Sequence, residues 1–390
     1  VGEILDDPEL LEFGRRRLQS VVAHVARHDG FTEYNSPPYT KVVIAECERT
    51  LQLVHDAQTR KAAESLRRSA WRIASESFHP PTQQWAGPHS RTSRERLRKS
   101  TTDFLSVRIG HAIKPHPAMI AGDEPRGYAV VDPLPCPTEF VEGFRSQGKI
   151  PSQIQRTFIR SRRVSHSIIG TTWFGPDSCL ASVNRSSFWT QRKPLIGYWQ
   201  TEHDPAVVFR VRFLHDGKDF ASMGVRSSQQ GPRVLSLVHS VTDRGDWHRT
   251  RDRPTNGRFP MRDLRIRCAL SGIGASVVSL ESGRFALSAG GQRIILHPLP
   301  SQFAEHAVRW QSGHDGKTVF VDGICYAGPL RTFDFNHPLA MRLAIGIELQ
   351  KLTDAITGSS PVWENTDSHN LRARWKVNSK STLAVEFAPQ

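Results

Sequence analysis

Two loops and one later stretch of the chain carry residues whose types and spacing fit chemistry. The loops are Tyr34-Asn35-Ser36-Pro37 and Trp85-Ala86-Gly87-Pro88-His89-Ser90-Arg91. Together they offer an amide, an imidazole and a guanidinium. The later stretch holds Asn184-Arg185, Trp189 to Arg192, His215-Asp216-Gly217, and His239 followed by Asp243, Asp246, Trp247 and His248. Each feature also has a plain structural use. An Asn ahead of Ser-Pro serves as a turn or helix cap, and a His in a Gly-Pro loop as a hydrogen-bonded loop residue. Trp85, Trp189 and Trp247 are either core residues or flat faces for stacking on sugar rings.

The elements that must position these groups fall into a helical part and a strand-rich part. From Pro8 to His28, Leu11, Leu18, Val21, Val22 and Val25 recur at three- and four-residue intervals, which predicts an amphipathic helix. Similar spacing predicts helices over 41–54 and 62–78, so the two loops follow helices on what should be one rim of a paired-helix array. Between Gly110 and Pro137 the text is rich in Pro and Gly and reads as an irregular crossing. Beyond Arg163 the period changes to two: 207–213, 266–270, 277–285, 293–296 and 318–321 read as antiparallel strands, and Leu371 to Phe387 as a last hairpin. No GxGxxG or GxxxxGK[ST] loop marks a nucleotide site.

Composition bounds the function. The chain has 390 residues, room for two or three domains of about 150. With 38% apolar residues, nine Trp and nineteen Phe it must fold around real cores. No apolar run reaches the roughly 18 residues of a membrane helix. Lys and Arg number 52 against 38 Asp and Glu, a net charge of +14 that favours an anionic partner. The five cysteines are scattered and odd in number, which argues against a zinc ribbon or a disulfide framework. Asp6, Asp7 and Glu9 do not fit a secretory leader, so any targeting segment is expected upstream of Val1.

Taken together the motifs resemble the heparinase II/III-like polysaccharide lyases. The resemblance rests on the two loops above, on Ser187-Phe188-Trp189-Thr190-Gln191-Arg192-Lys193-Pro194-Leu195, and on Phe213-Leu214-His215-Asp216-Gly217. It implies an α+β multidomain chain: an incomplete (α/α) toroid of paired helices over 1–160, then an antiparallel β-sandwich over 161–390. It also implies β-elimination on a uronate-containing polysaccharide such as alginate, glucuronan or a glycosaminoglycan, in a secreted or periplasmic setting. Removing the C5 proton requires a neutralised carboxylate, and Asn35, His89 and Arg91 have the types for it. Catalytic candidates are then Asn35, His89, Tyr34, Tyr39, His215 and His239. Substrate-binding candidates are Arg91, Trp85, Arg185, Trp189, Arg192, Trp247 and His248. No metal or other cofactor is called for, and His215, Asp216, His239 and His248 follow no recognised zinc spacing.

One departure stands out. Relatives of this type commonly carry a tyrosine two positions after the Gly-Pro-His-Ser-Arg motif, where this chain has Ser93. A serine hydroxyl cannot replace a phenol as acid or base, so Tyr34 or Tyr39 would have to act, or His89 with water. The competing expectation is therefore a catalytically impaired protein that binds acidic polysaccharide on the same scaffold. Nucleic acid is the third and least supported partner, because charge alone argues for it.

Overall fold

In the computed structural model the described residues are 1–110, 113, 131–204, 206–241, 257–336, 340–356, 358–364, 371–379 and 381–387. The chain is α+β, with helices first and a large antiparallel β domain after them. It divides into two compact units. The first comprises Val1–Trp85, His89–Ile150 and Arg156–Ile168, and the second Ala86–Pro88, Pro151–Gln155 and Ile169–Gln390.

In the first unit, α1 (Pro8–His28) starts at Asp7, whose side chain accepts from the Leu10 amide, with Pro8 already in the first turn. Asp29 ends it in the left-handed conformation at φ 59°. The next helices are α2 (Pro37–Leu53) and α3 (Ala57–Ser77), the latter capped by Asp56 on the Thr59 amide. Ile44, Ala70, Trp71, Ile73 and Ala74 come from these two helices and share a core with Phe78, Trp85 and Phe144. Glu48 of α2 lies in this core at 1% exposure. Arg108, at the end of α4 (Lys99–Arg108), grips it bidentately at 2.7–3.0 Å, and Arg67 stands 3.7 Å away. A buried carboxylate is tolerable because these two cations compensate it. Arg94, Arg96 and Arg98 precede α4, with Arg98 at its N-cap.

The second unit contains two nine-stranded antiparallel sheets. One includes Val207–His215, Arg258–Ser271 and Thr318–Asp334; the other includes Met223–Gln230, Arg233–Ser240, Gln292–Pro298 and Met341–Lys351. Both contribute to one core, Phe209, Leu264 and Ile266 from the first and Val234, Leu296 and Ile347 from the second. Within Arg258–Ser271 the buried set switches parity, from Phe259 and Met261 to Leu264, Ile266, Cys268 and Leu270. Register shifts on either side of Asp263 and Leu264 produce the switch, since one extra residue turns every later side chain to the opposite face. Asp216 holds this bulge, its carboxylate accepting from the amides of Arg262 and Asp263 at 2.9 and 2.8 Å.

The stretch 277–285, expected as one strand, is two. Ser276–Ser279 and Phe285–Ala289 pair across a turn at Glu281–Gly283, where Ser282 and Gly283 take φ of 58° and 69°. The polar run Glu281-Ser282-Gly283-Arg284 is itself a turn signal, which the single-strand reading passes over. A three-stranded sheet of Val362–Glu364, Leu371–Asn378 and Ser381–Phe387 is held by Trp375, Leu383 and Val385 against Leu235, Leu237 and Ala344.

Candidate functional site

The two loops singled out in the first unit meet. Asn35 takes a left-handed backbone (φ 45°), a conformation Asn tolerates better than most residues. The indole Nε1 of Trp85 donates to Oδ1 of Asn35 at 2.6 Å, and the imidazole Nδ1 of His89 bonds the Asn35 carbonyl at 2.8 Å. Because a carbonyl only accepts, Nδ1 of His89 must carry a proton, which leaves Nε2 as the basic nitrogen of the neutral ring. The amide and hydroxyl of Ser90 both donate to the Tyr34 carbonyl, at 3.2 and 2.6 Å. Ser36 stands at the N-cap of α2, yet its hydroxyl makes no cap and donates instead to the Arg91 carbonyl at 2.5 Å. With Pro37 and Pro38 opening the helix, fewer amides there need a cap.

At the open side of this node Arg91 pairs with Glu33, and its guanidinium lies 4.8 Å from the ring centre of Tyr39. Tyr39 is 37% exposed, whereas Tyr34 is buried flat against Phe158 with ring centres 4.5 Å apart. Of the two phenols, Tyr39 is the one a ligand reaches. A groove of about 440 Å³ between α1 and α2 runs beside it, lined by Arg17, His24, Thr32, Glu33, Tyr39 and Val43 among others. Asn35 and His89 are buried, at 4% and 3% exposure. Their role visible here is to lock the two loops together. Ser93 is exposed, and its hydroxyl accepts from Arg98 at 3.1 Å.

Two sequence expectations are corrected by burial. Trp85 is 2% exposed and acts as the hydrogen-bond donor to Asn35, so it has no free face for a sugar. Trp189 is buried at 9% exposure and is no stacking platform either. Ala86, which with Gly87 and Pro88 belongs to the second unit, packs there with Phe174, Ile196 and Tyr198.

The remaining candidates lie in the second unit. His215 ends the strand Val207–His215 at 9% exposure, edge-on to Phe220 and Phe259. Its Nε2 is 3.1 Å from the Pro260 carbonyl and 3.4 Å from the Asp216 carboxylate. Those contacts make it part of the bulge described above. His239 stacks on Phe387 at 4.0 Å and 13°, with Nδ1 2.9 Å from the Ser240 carbonyl. Arg185 and Arg192 are half-buried, and Arg192 donates to the Ser187 hydroxyl at 2.8 Å. Trp247 and His248, with Asp243 and Asp246, lie outside the described residues. All five cysteines are free and buried, and burial pushes the thiols of Cys47, Cys136 and Cys179 up to about 12, far from thiolate chemistry at neutral pH.

Sequence reasoning missed Arg226. It faces Arg185 across two paired strands, a neighbour that only the register between Met223–Gln230 and Arg185–Ser187 reveals. Its outward position follows from alternation, because Met223 and Val225, three and one residues before it, are core residues.

Residues 1–115, which include both loops, match the family model of a domain of unknown function, DUF8769. No curated protein matches the chain in sequence.

Proposed function

We propose that this chain is a polysaccharide lyase that cleaves a uronate-containing acidic polysaccharide by β-elimination. The observation that carries the reading is the meeting of the two loops through the Asn35, Trp85 and His89 hydrogen bonds, which leaves Arg91 over the exposed ring of Tyr39. The resemblance to heparinase II/III-like lyases supports it, with the paired helices taken as part of an (α/α) toroid and the two facing sheets as the β-sandwich.

In this reading Arg91 neutralises the substrate carboxylate, which acidifies the C5 hydrogen. Tyr39, beside it and in its phenolate form, takes the C5 proton. As the C5–H bond breaks, its electron pair forms the C4–C5 double bond, the C4–O bond breaks, and the Tyr39 phenol so formed returns the proton to the departing oxygen. Proton transfer by a positioned side chain contributes on the order of 10² to 10⁴ in rate. Asn35 and His89 act as positioning residues, holding the loop that presents Arg91.

A second reading has its own support. Ser93 occupies the place of an expected phenol, and His89 is almost wholly enclosed; both fit a protein that binds acidic polysaccharide without cleaving it. Ultraviolet absorbance of the unsaturated uronate product separates the two, read over a panel of alginate, glucuronan, heparan and chondroitin chains. A rise that Tyr39→Phe and Arg91→Ala abolish is expected of the lyase. Salt-sensitive binding with no rise on any substrate replaces it with the binding protein.

A further inference from the structure

The outward face of the sheet containing Met223–Gln230 concentrates positive charge. Met223 and Val225 point into the core, so Gly224 and Arg226 point away from it. Arg226 lies directly opposite Arg185, and Gly224 lies between Ser187 on one neighbouring strand and His239 on the other. Residues directly opposite in an antiparallel pair share a face, with Cβ atoms about 4.5–5.5 Å apart, and like charges so placed repel. Arg192 reaches the same spot through its 2.8 Å bond to the Ser187 hydroxyl. Three arginines and a histidine therefore meet on one patch of sheet.

The patch is built rather than accidental. His239 lies across Gly224, where a Cβ would come within 2.5 Å of the ring's Cε1, so only glycine permits this placement. Phe387 supports the cluster, stacked on His239 at 4.0 Å and 5.5 Å from the Arg226 guanidinium. Arg226 makes no hydrogen bond among the described residues, and its Nε is buried without a partner. Burial first, and then the charge of Arg185, hold its pKa below the ordinary arginine range, against an opposing contribution from Glu386 on the exposed side of the last strand.

We propose that Arg185 and Arg226, with Arg192 and His239 beside them, form a binding site for an oxyanion, a carboxylate or a sulfate group carried on a saccharide chain. A bound oxyanion removes the repulsion between the facing guanidinium groups. The saccharide part of the assignment rests on the lyase reading; the oxyanion part stands on the cluster alone.

The test is calorimetric titration of the full chain with oligoglucuronate, which bears only carboxylates, and with a size-matched sulfated dextran, using wild type, Arg226→Gln and His89→Ala. We expect Arg226→Gln to weaken one of the two ligands on the order of tenfold or more, since a hydrogen bond to a charged group is lost. The ligand that responds identifies the oxyanion. Thermal denaturation guards against misfolding: sodium sulfate should raise the melting temperature of wild type above its value in sodium chloride of equal ionic strength, and raise that of Arg226→Gln less. Equal affinities in wild type and Arg226→Gln, or equal sulfate shifts, overturn the site. Tighter Arg226-dependent binding of a DNA oligonucleotide than of either saccharide overturns the saccharide assignment. Arg226-dependent saccharide binding without eliminated product leaves the site standing and removes the lyase reading. Product formed by a protein whose affinity ignores Arg226 does the reverse.

Discussion

The loop node of the first unit and the arginine face of the second handle polar groups in opposite ways. In the node, Trp85, His89, Ser36 and Ser90 are each bonded to the facing loop, and the buried cations nearby share Glu48. On the sheet face, Arg185 and Arg226 are registered side by side, and the Nε of Arg226 has no hydrogen-bond partner among the described residues. The first arrangement fixes geometry, and the second maintains a field.

The contrast makes predictions of opposite sign. Glu48→Ala leaves Arg108 without its carboxylate and Arg67 with only the more exposed Glu64 at 3.7 Å, and should cost about 3–5 kcal/mol in a denaturant titration. A loss below 1 kcal/mol would mean those cations reach water, and the distinction between the two regions would shrink.

A second prediction concerns pH and lies in the sheet unit. His297, 1% exposed, has its pKa pushed down to about 4 by burial, with Arg284 and Arg233 adding to it. The Glu348 carboxylate stands 3.9 Å away and favours the charged ring, but Arg233 already neutralises it at 2.5 Å. A histidine that is neutral when folded binds its proton more readily when unfolded, at about 6.5. Its contribution is therefore complete above about pH 6.5 and is lost as pH falls toward 4, by about 3 kcal/mol in all. Melting curves across that range should show the loss, and His297→Phe should flatten it; a wild-type profile flat from pH 7 to 4 contradicts it.

Smaller effects sharpen the node. Trp85→Phe keeps the ring's bulk and strands Asn35 Oδ1 in a buried setting, so it should destabilise the first unit by about 1–3 kcal/mol. His89→Gln retains a donor for the Asn35 carbonyl where His89→Ala does not, so activity that survives in the former and fails in the latter identifies His89 as a positioning residue. Smallest of all, Arg226→Gln should leave stability unchanged or raise it by about 0.5 kcal/mol, because it removes a like-charge pair. A clear loss of stability there would place Arg226 among the residues that hold the fold.

Much of this was legible in the sequence. The three amphipathic helices were readable from apolar spacing, and the strands at 207–213 and 371–387 from alternation. That Asn35 and His89 lie in loops was readable from their place after helices, and the hydrogen bonds show that the two loops meet. The partners within the node were not legible. Trp85 looks the same in sequence whether its indole stacks on a sugar or donates to an amide, and Ser36 reads as an N-cap although it spends its hydroxyl on Arg91. The pairing of Arg226 with Arg185 depends on strand register across 41 residues of chain, a long-range choice made by packing rather than by any local signal.

The most direct test of the central claim is the appearance of unsaturated uronate when the protein meets a uronate polymer, followed in wild type and in Tyr39→Phe. We predict product from wild type and a fall on the order of 10² to 10⁴ in Tyr39→Phe with substrate affinity kept, since only the phenolic oxygen is removed. Product formed at an undiminished rate by Tyr39→Phe would contradict the assignment of the exposed phenol beside Arg91 as the proton-transfer group.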